Sequence, residues 1–598
     1  MKLFRRDEHH ESGGSASAAS TTAARLEPPL VSPRVSTVLL GELLEQRSLV
    51  DAASVARLVA SQAGTSRRLG SLLVEQKLIS EDDLTSALSD QLEIPERDLR
   101  QVVPPEDALV LLNESVARNL QIIPVALADG TVDVVCADPL DERLPGVLRA
   151  LKVDLVRVFM APPSQVRDSI NSAYKALSGI DEFVDGYATD NAAATRAAAT
   201  PLDLGGIDSP VVEVVNRLVS QALRDRASDI HLEPKPDQLR VRFRIDGSLN
   251  EVISLPAGMG PAIISRLKIM ADMNIVEKRR PQDGQFQTMV DGRELDVRVS
   301  TTATIFGEKA VLRLLDKSKS TFSLTELGMP RLARERYDEI VNSPYGMMIV
   351  AGPTGSGKTT TLYATLSQLA RPELNVMTIE DPVEYVFQDI NQIEINTQAD
   401  ITFATGLRSI LRQDPDIILV GEVRDAETAR IAVQSALTGH LVLSSIHATD
   451  AASALYRLLD MGIERFLVAS ALTGVVAQRL VRKICSSCKA PYDPPAHEIA
   501  YYKDSGGPPK KVFSAGLGCA YCSGTGYRGR VGVYEILQVD DEVRYALVNN
   551  AGPQEIRELS SKLGMRSLRE ESARLIATDV TTIDEVMRTV YTLGSATS

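Results

Sequence analysis

The centre of the chain reads Gly352-Pro353-Thr354-Gly355-Ser356-Gly357-Lys358-Thr359. This stretch matches the phosphate-loop pattern, in which two glycines separated by four residues are followed by Lys and Ser or Thr. The apolar residues 346–351 before it indicate a buried strand, and the run that begins at Thr360 indicates a helix. In that context the loop N–H groups and the helix N-terminus bind phosphate. The stretch and Thr360 therefore predict an ATP site, with Lys358 on the phosphate oxygens and the Thr359 hydroxyl on Mg²⁺.

Length and composition indicate a multidomain globular protein. The chain has 598 residues, of which 44% are hydrophobic and 24% are charged, and this is an ordinary globular composition. The formal net charge of −14 counts against general nucleic-acid binding, because that normally needs a basic surface. No apolar run reaches the ~18 residues of a membrane helix, and the N-terminal residues lack the apolar segment of a signal peptide. We therefore expect a cytoplasmic protein that meets a membrane only through partners.

A repeat lies in the N-terminal part. Leu40-Gly41-Glu42-Leu43-Leu44 recurs 29 positions later as Leu69-Gly70-Ser71-Leu72-Leu73. Leucines at helical spacing predict a helix, a turn and a second helix in each copy. The simplest interpretation is a small four-helix packing unit.

Changes in composition predict the domain organisation. Segments that are rich in Ser, Ala, Gly and Thr and poor in large apolar residues predict disorder or linkers, whereas alternating or periodic apolar residues predict strands and helices. The predicted parts are a disordered N-terminus (1–34), a helical repeat domain (35–101), an α/β subdomain (102–176), a flexible linker (177–206), a second α/β domain (207–325), the phosphate-loop domain (326–480), a cysteine-rich module (481–533) and a C-terminal helical region (534–598).

Four of the five cysteines form two pairs, Cys485-x-x-Cys488 and Cys519-x-x-Cys522, with residues 489–518 between them. Two such pairs can supply four thiolates for a tetrahedral Zn²⁺, although this spacing exceeds that of a typical zinc finger. We expect a structural zinc site, with unligated thiols as the alternative. The fifth cysteine, Cys136, lies in an apolar run and is expected to be a buried thiol.

Three apolar strands downstream of the phosphate loop end in polar residues. The first runs into the acidic residues 380–384, the second into Gly421-Glu422, and the third into His447. The strand ends of a phosphate-loop fold lie beside the γ-phosphate, where a carboxylate can activate water. The second strand resembles a Walker B strand, with Gly421 where an Mg²⁺-binding Asp is usual.

Four motifs follow one another along the chain: the phosphate loop, Ile-Glu-Asp-Pro-Val-Glu at 379–384, Val-Gly-Glu-Val-Arg-Asp at 420–425 and Ser-Ile-His-Ala-Thr-Asp at 445–450. With them the chain resembles the secretion and pilus-assembly ATPases of the GspE/PilB family from about residue 40 to 595. The resemblance implies a multidomain α/β protein with a RecA-like P-loop ATPase core. A PAS-like α/β domain would precede that core, a zinc module would follow it, and the N-terminal domain would be helical and α/β.

The resemblance also implies residue roles. Glu384 would be the catalytic glutamate and Glu422 the Walker B glutamate, with His447 and His440 as the histidine motif. Arg298 and Arg313 would be an arginine pair that reaches the γ-phosphate from the preceding domain. Three further arginines would serve the ATP site and the domain interface: Arg408, Arg412 and Arg424.

Part of the N-terminal repeat resembles a domain that binds cyclic di-GMP in some family members. Arg68-Leu69-Gly70 matches the start of that motif, but the first copy has Leu39 in place of Arg. Both copies lack the later motif glycine and have Ser48 and Lys77 instead. These departures count against cyclic di-GMP binding and favour a docking module for a membrane-embedded partner.

We therefore expect a cytoplasmic homohexamer at the inner face of the cytoplasmic membrane. It would couple ATP hydrolysis to type IV pilus assembly and work with an inner-membrane platform protein. The alternative within the family is a type II secretion ATPase. Less favoured are a nucleic-acid translocase, which the acidic composition opposes, and a non-catalytic nucleotide-binding scaffold or second-messenger receptor.

Overall fold

A computed structural model of the chain describes residues 39–62, 68–100, 102–174, 177, 180, 210–316 and 323–590. The disorder predicted for residues 1–34 lies outside the described residues, as does the linker predicted at 177–206 apart from residues 177 and 180. The described residues fall into two compact units that meet in sequence between Ala173 and Tyr174.

The first unit combines eight helices with a three-stranded sheet. In the sheet, β1 pairs antiparallel with β2, and β2 pairs parallel with β3. Cys136 is buried at the end of β2, as its apolar neighbours predict. The elements are α1 (Leu40–Gln46), α2 (Ala52–Gln62), α3 (Leu69–Glu75), α4 (Glu81–Leu92), α5 (Glu106–Leu109), α6 (Glu114–Leu120), β1 (Ile122–Ala128), β2 (Thr131–Cys136), α7 (Leu144–Ala150), β3 (Leu155–Met160) and α8 (Pro163–Ala173).

The sequence repeat is also a structural repeat. Each copy is a helix, a turn and a second helix, and its buried glycine packs closely on the second helix. A Cβ atom on Gly41 would lie 2.9 Å from Val55, and one on Gly70 would lie 2.7 Å from Leu84. The equivalent turn residues Ser48 and Lys77 have φ angles of 56° and 57°, a conformation that glycine adopts at least cost.

The second unit begins with a helix and an antiparallel sheet of six strands in the order β6-β5-β4-β9-β8-β7. Apolar residues on one face of this sheet pack against the helices, and charged residues alternate with them on the other face. The elements are α9 (Pro210–Arg224), β4 (Ala227–Pro234), β5 (Gln238–Ile245), β6 (Ser248–Pro256), α10 (Gly260–Met270), β7 (Gln282–Val290), β8 (Arg293–Thr304) and β9 (Gly307–Asp316).

A seven-stranded sheet in the order β12-β11-β13-β14-β10-β15-β18 forms the rest of the core. Six strands are parallel and β18 is antiparallel, and the phosphate-loop strand β10 is separated from β13 by β14, a RecA-like order. The elements are α11 (Arg331–Val341), β10 (Gly346–Ala351), α12 (Lys358–Leu369), β11 (Val376–Glu380), β12 (Asn391–Glu394), α13 (Phe403–Ile410), β13 (Ile417–Val420), α14 (Ala426–Leu437), β14 (Leu441–Ile446), α15 (Ala451–Asp460), α16 (Arg465–Ala471) and β15 (Leu472–Ile484).

The cysteine-rich residues lie between the two paired strands β15 and β18 of this sheet. A small two-stranded sheet and one helix accompany them, and four helices follow β18 and pack on the same core. The elements are β16 (Lys489–Tyr492), α17 (Ala496–Asp504), β17 (Phe513–Gly516), β18 (Tyr527–Gln538), α18 (Asp541–Val548), α19 (Pro553–Lys562), α20 (Leu568–Ala577) and α21 (Ile583–Val590). Among the described helices, none has the length and apolar character needed to cross a bilayer.

Candidate active site

The phosphate loop connects β10 to α12 at the carboxyl edge of the sheet. Gly355 and Gly357 have φ angles of 77° and 89°, in the left-handed region that glycine adopts without a steric penalty. A Cβ atom on Gly352 would lie 2.4 Å from the Ser356 hydroxyl and 2.7 Å from the backbone oxygen of Gln478. The loop therefore needs its glycines both for backbone conformation and for close packing on β15.

The chemistry of the loop fits a bound polyphosphate. Lys358 opens α12, and its ammonium donates hydrogen bonds to the carbonyls of Gly352 (2.9 Å) and Pro353 (3.2 Å) within the loop. Its pKa is lowered by burial and by Arg479, while Glu422 opposes this effect. The hydroxyl of Ser356 is buried and has no hydrogen-bond partner among the described residues. A helix N-terminus and a lysine thus lie at the loop that would hold a phosphate group.

Other loop residues lie where a nucleotide would reach them. Pro353 and Thr354 are exposed, and Thr359 and Thr360 occupy the half-buried first turn of α12. Threonine hydroxyls in this turn can bind Mg²⁺ in phosphate-loop enzymes. The loop therefore presents the donor set that Mg²⁺ and ATP require.

Glu384 lies in the acidic loop that follows β11. Solvent reaches this carboxylate, but the surrounding protein removes part of its hydration and so raises its pKa. The guanidinium groups of Arg298 and Arg313 act in the opposite direction, and the nearby Glu380 reinforces the rise. A carboxylate held near two arginines suits a general base whose proton affinity is tuned by its neighbours.

Arg298 and Arg313 reach this loop from the six-stranded sheet. They lie directly opposite each other on the antiparallel strands β8 and β9. Arg298 donates a hydrogen bond of 3.0 Å to the carbonyl of Val383, beside Glu384, and Arg313 is held by Asp229 at 3.1 Å. The two cations and the acidic loop line an open cleft of about 650 Å³.

Glu422 and His447 meet at the ends of the neighbouring strands β13 and β14. The imidazole Nε2 of His447 lies 3.5 Å from a carboxylate oxygen of Glu422, and Arg424 pairs with the other oxygen. Arg424 also contacts Asp381 at 3.3 Å and so connects this cluster to the acidic loop. The Glu422 charge also acts on the pKa of Lys358, so Glu422 interacts with both the phosphate loop and His447.

Gly421 stands where an aspartate is usual, and the packing explains why. A Cβ atom there would lie 3.3 Å from the carbonyl of Ile379 and 3.4 Å from the Cα of Glu380. These contacts are with backbone atoms of the adjacent strand, which cannot move aside easily. The close approach of β13 to β11 thus favours glycine.

Three of the expected residues are placed elsewhere. Arg408 pairs with Glu427 on the next helix, and Arg412 is exposed, with no described contact to the phosphate loop. His440 hydrogen-bonds the carbonyl of Ser435 at 2.9 Å and precedes the amino end of β14. Since His440 and His447 flank the six residues of β14 and are seven positions apart, at about 3.3 Å per residue they lie ~23 Å apart along the strand, and they do not form one site.

The four paired cysteines come together between β15 and β18. Their sulfur atoms all lie within 4.8 Å of one another, and three sulfur pairs are separated by 3.6 to 3.8 Å. Four sulfurs bound at about 2.3 Å to a tetrahedral zinc would be about 3.8 Å apart. The N–H groups of Gly518 and Gly526 donate to Cys488 and Cys522, as they would to thiolates. The arrangement fits a four-coordinate Zn²⁺.

Two site residues on β15 were not foreseen from the sequence. Gln478 donates to the carbonyl of Ser356 (2.9 Å) and accepts from the hydroxyl of Thr361 (2.9 Å), so it connects the phosphate loop and the helix α12 to β15. Arg479 donates to the carbonyl of Thr449 at 2.8 Å, two residues after His447. The signal that could have identified both is a polar pair inside the otherwise apolar run 474–481.

Comparison with known proteins agrees with this picture. The family model described as Type II/IV secretion system protein matches residues 206–588, and the MshEN domain matches residues 92–179. The chain is 40% identical over 556 residues to the type IV pilus assembly ATPase PilB of Myxococcus xanthus, which covers 92% of this chain and 98% of that protein. It is 41% identical over 563 residues to the type II secretion system protein E of Xanthomonas campestris pv. campestris, with the same coverage. The ATPase DotB of Legionella pneumophila has a TM-score of 0.48 at 20% identity and covers 62% of this chain and 94% of DotB.

Proposed function

This chain belongs to the Type II/IV secretion system protein family and is an ATPase, and from that premise we propose that it is the hexameric motor of type IV pilus assembly. The similarity to the PilB protein extends over 92% of the chain, so it includes the N-terminal unit as well as the ATPase core. The motor would convert ATP hydrolysis into polymerisation of pilin subunits.

The proposed mechanism rests on one contact between the six-stranded sheet and the ATPase core. Arg298, on the six-stranded sheet, donates a hydrogen bond to Val383 in the acidic loop of the ATPase core. A movement of the sheet relative to the core would therefore change the position of the residue next to Glu384. Such closure and opening of the cleft is a means of coupling hydrolysis to mechanical work.

Each site residue then takes a role in phosphoryl transfer. The phosphate loop and Lys358 hold the phosphates, and Glu384 accepts a proton from the attacking water. Arg298 and Arg313 stabilise the charge that develops on the γ-phosphate, where positive groups have large effects on rate.

Arg424, Glu422 and His447 form the adjacent cluster that responds to the γ-phosphate. Mg²⁺, when bound near Thr359, would neutralise charge on the phosphate oxygens.

Arg408 and Arg412 would act at a neighbouring subunit of the hexamer and not at the ATP site of their own chain. Neither has a described contact with the phosphate loop of its own chain. We assign them to the interface between subunits of the hexamer, where they would complete an adjacent ATP site.

The remaining parts would organise the motor. We assign Cys485, Cys488, Cys519 and Cys522 to a structural zinc module, since four protein ligands leave no open coordination position. The six-stranded domain would be PAS-like, a proposal supported by the pairing of its first strand β4 with its last strand β9. The N-terminal unit would dock on an inner-membrane platform protein at the cytoplasmic face of the membrane. Cyclic di-GMP is not assigned, because Leu39, Ser48 and Lys77 depart from the motif.

A type II secretion motor is the second candidate, because the similarity to the Xanthomonas protein is equally high and equally extensive. The same ATPase chemistry would then drive a pseudopilus and protein export. The two candidates differ in cargo, which the residues of the ATP site do not contact.

Gene deletion with complementation distinguishes these functions. The deletion strain would carry the wild-type gene or the Glu384→Gln variant, and surface pili and secreted proteins would be measured in the same cultures. We expect loss of pili in the deletion strain, rescue by the wild type and no rescue by the variant. Intact pili with lost export would instead establish the secretion motor. Native mass spectrometry with a non-hydrolysable ATP analogue tests the hexamer.

A further inference from the structure

A buried tyrosine connects the phosphate-loop helix to the acidic loop. Tyr363 on α12 is 1% exposed. Its hydroxyl donates to the carboxylate of Glu380 and accepts a hydrogen bond of 3.2 Å from the backbone N–H of Glu384. Burial, reinforced by the Glu380 charge, raises the pKa of Tyr363, so the hydroxyl keeps its proton. One oxygen atom thus joins the phosphate-loop helix to the backbone of the proposed general base.

The orientation of this hydroxyl is fixed by Glu380. The Glu380 carboxylate is 4% exposed and also accepts hydrogen bonds from Thr378 (2.6 Å) and Gln392 (3.2 Å). Because a buried carboxylate needs its hydrogen bonds, the tyrosine proton is directed to Glu380. The oxygen lone pairs are then available to the N–H of Glu384.

The ring of Tyr363 also holds the residues that follow Glu384. It makes edge-on contacts with Tyr385 and Phe387, with ring centroids 6.1 and 5.1 Å apart. Such aromatic contacts favour one mutual arrangement. The tyrosine therefore fixes the loop through its ring and fixes the backbone at Glu384 through its hydroxyl.

We propose that Tyr363 is a positioning residue for ATP hydrolysis, and that its hydroxyl keeps Glu384 aligned with the phosphate loop. The inference rests on the proposed role of Glu384 as the base. Tyr363 acts through the backbone of Glu384 and does not touch the nucleotide. Removal of the hydroxyl should therefore lower the rate of hydrolysis and leave nucleotide affinity unchanged.

The Tyr363→Phe variant of the full chain tests this, because it keeps the ring and its aromatic contacts. The matched control is Tyr337→Phe. Tyr337 is also fully buried, and its hydroxyl hydrogen-bonds Thr365 on the same helix, away from the acidic loop. We expect kcat to fall about 10- to 100-fold in Tyr363→Phe, as for other misaligned catalytic groups, and to stay within about twofold in the control. The Kd for a fluorescent ADP analogue and the Tm should match those of the control.

A double-mutant cycle with Glu384→Gln separates the possible outcomes. If Tyr363 acts through Glu384, adding Tyr363→Phe to Glu384→Gln causes no further loss of kcat. An unchanged kcat in Tyr363→Phe, an additive loss in the double variant, or a selective loss of ADP affinity would overturn the inference. Wild-type turnover in Glu384→Gln would instead refute the proposed base. If Tyr363→Phe does not fold, Glu380→Gln is measured on the plateau of its kcat–pH profile, where the direct effect of the Glu380 charge on the pKa of Glu384 no longer changes the fraction of active enzyme. There a lower kcat with normal ADP affinity supports the inference, and an unchanged kcat overturns it.

Discussion

Replacement of Gln478 by leucine should weaken nucleotide binding, although Gln478 does not face the nucleotide. Gln478 is 1% exposed and lies under the phosphate loop on β15. Its amide donates to the carbonyl of Ser356 at 2.9 Å and accepts from the hydroxyl of Thr361 at 2.9 Å. Leucine has a similar volume but can make neither hydrogen bond. The substitution therefore removes the polar support of the loop without opening a large cavity.

The size of the expected loss of nucleotide affinity depends on the polar groups that lose a hydrogen-bond partner. The hydroxyl of Thr361 can turn to a carbonyl of the preceding helical turn, so its loss is largely compensated. The carbonyl of Ser356 belongs to a residue that is 3% exposed, so it would stay buried and unpaired. An unsatisfied buried polar group costs about 1–3 kcal/mol. The free loop can relax to avoid this cost, but the nucleotide-bound loop cannot, so the cost appears as a reduced affinity of about tenfold for each 1.4 kcal/mol.

Titration with a fluorescent ADP analogue measures this effect directly. We expect the Kd of Gln478→Leu to rise about tenfold. The matched control is Gln221→Leu: Gln221 lies on α9 outside the ATP site, is 5% exposed and donates to Asp225, just after the helix ends. That control should lower the Tm and leave the Kd unchanged. An unchanged Kd in Gln478→Leu, or an equal rise in both variants, would refute the reasoning.

Three further predictions concern the acidic loop, the strand end and the cysteines. Arg313→Met removes a positive charge that lowers the pKa of Glu384, so the acid limb of the kcat–pH profile should move to higher pH, and turnover should be lost earlier as the pH falls. Lys309 pairs with Glu233 instead, so the control Lys309→Met should leave the acid limb where it is. Gly421→Asp should lower the Tm, with a cost of about 1–3 kcal/mol for overpacking, whereas Gly258→Asp, whose Cβ meets nothing within 4 Å, should not. Cys519→Ser should reduce bound zinc from about one ion per chain to nearly none by elemental analysis, and a zinc content equal to that of the wild type would contradict the site.

Local patterns accounted for much of the site. The phosphate loop is a continuous stretch whose glycines and lysine act together within one turn, so its spacing is visible without the fold. Glu384, Glu422 and His447 follow strand ends, and parallel strands bring such ends to one edge of a sheet. The resemblance groups His440 with His447 in one motif, but the strand β14 lies between them and separates the two residues by its own length.

Contacts between distant segments could not be read in this way. Gln478 lies in the mainly apolar run 474–481 and Tyr363 in a helix of mixed composition, and their hydrogen bonds join residues 122 and 17 positions apart. The pairing of Arg298 with Arg313, and their approach to the acidic loop, depend on the register of β8 and β9 and on the docking of one sheet beside another.

The sequence by itself thus determined the chemistry: a phosphate-binding loop, acids at strand ends and four thiols at a metal-binding spacing. It could do so because each of these motifs is local, and the backbone geometry of a turn or a strand end fixes its function. Only the tertiary structure decided which groups act together. Strand order, register and buried hydrogen bonds set those distances, and they arise from the packing of the whole chain.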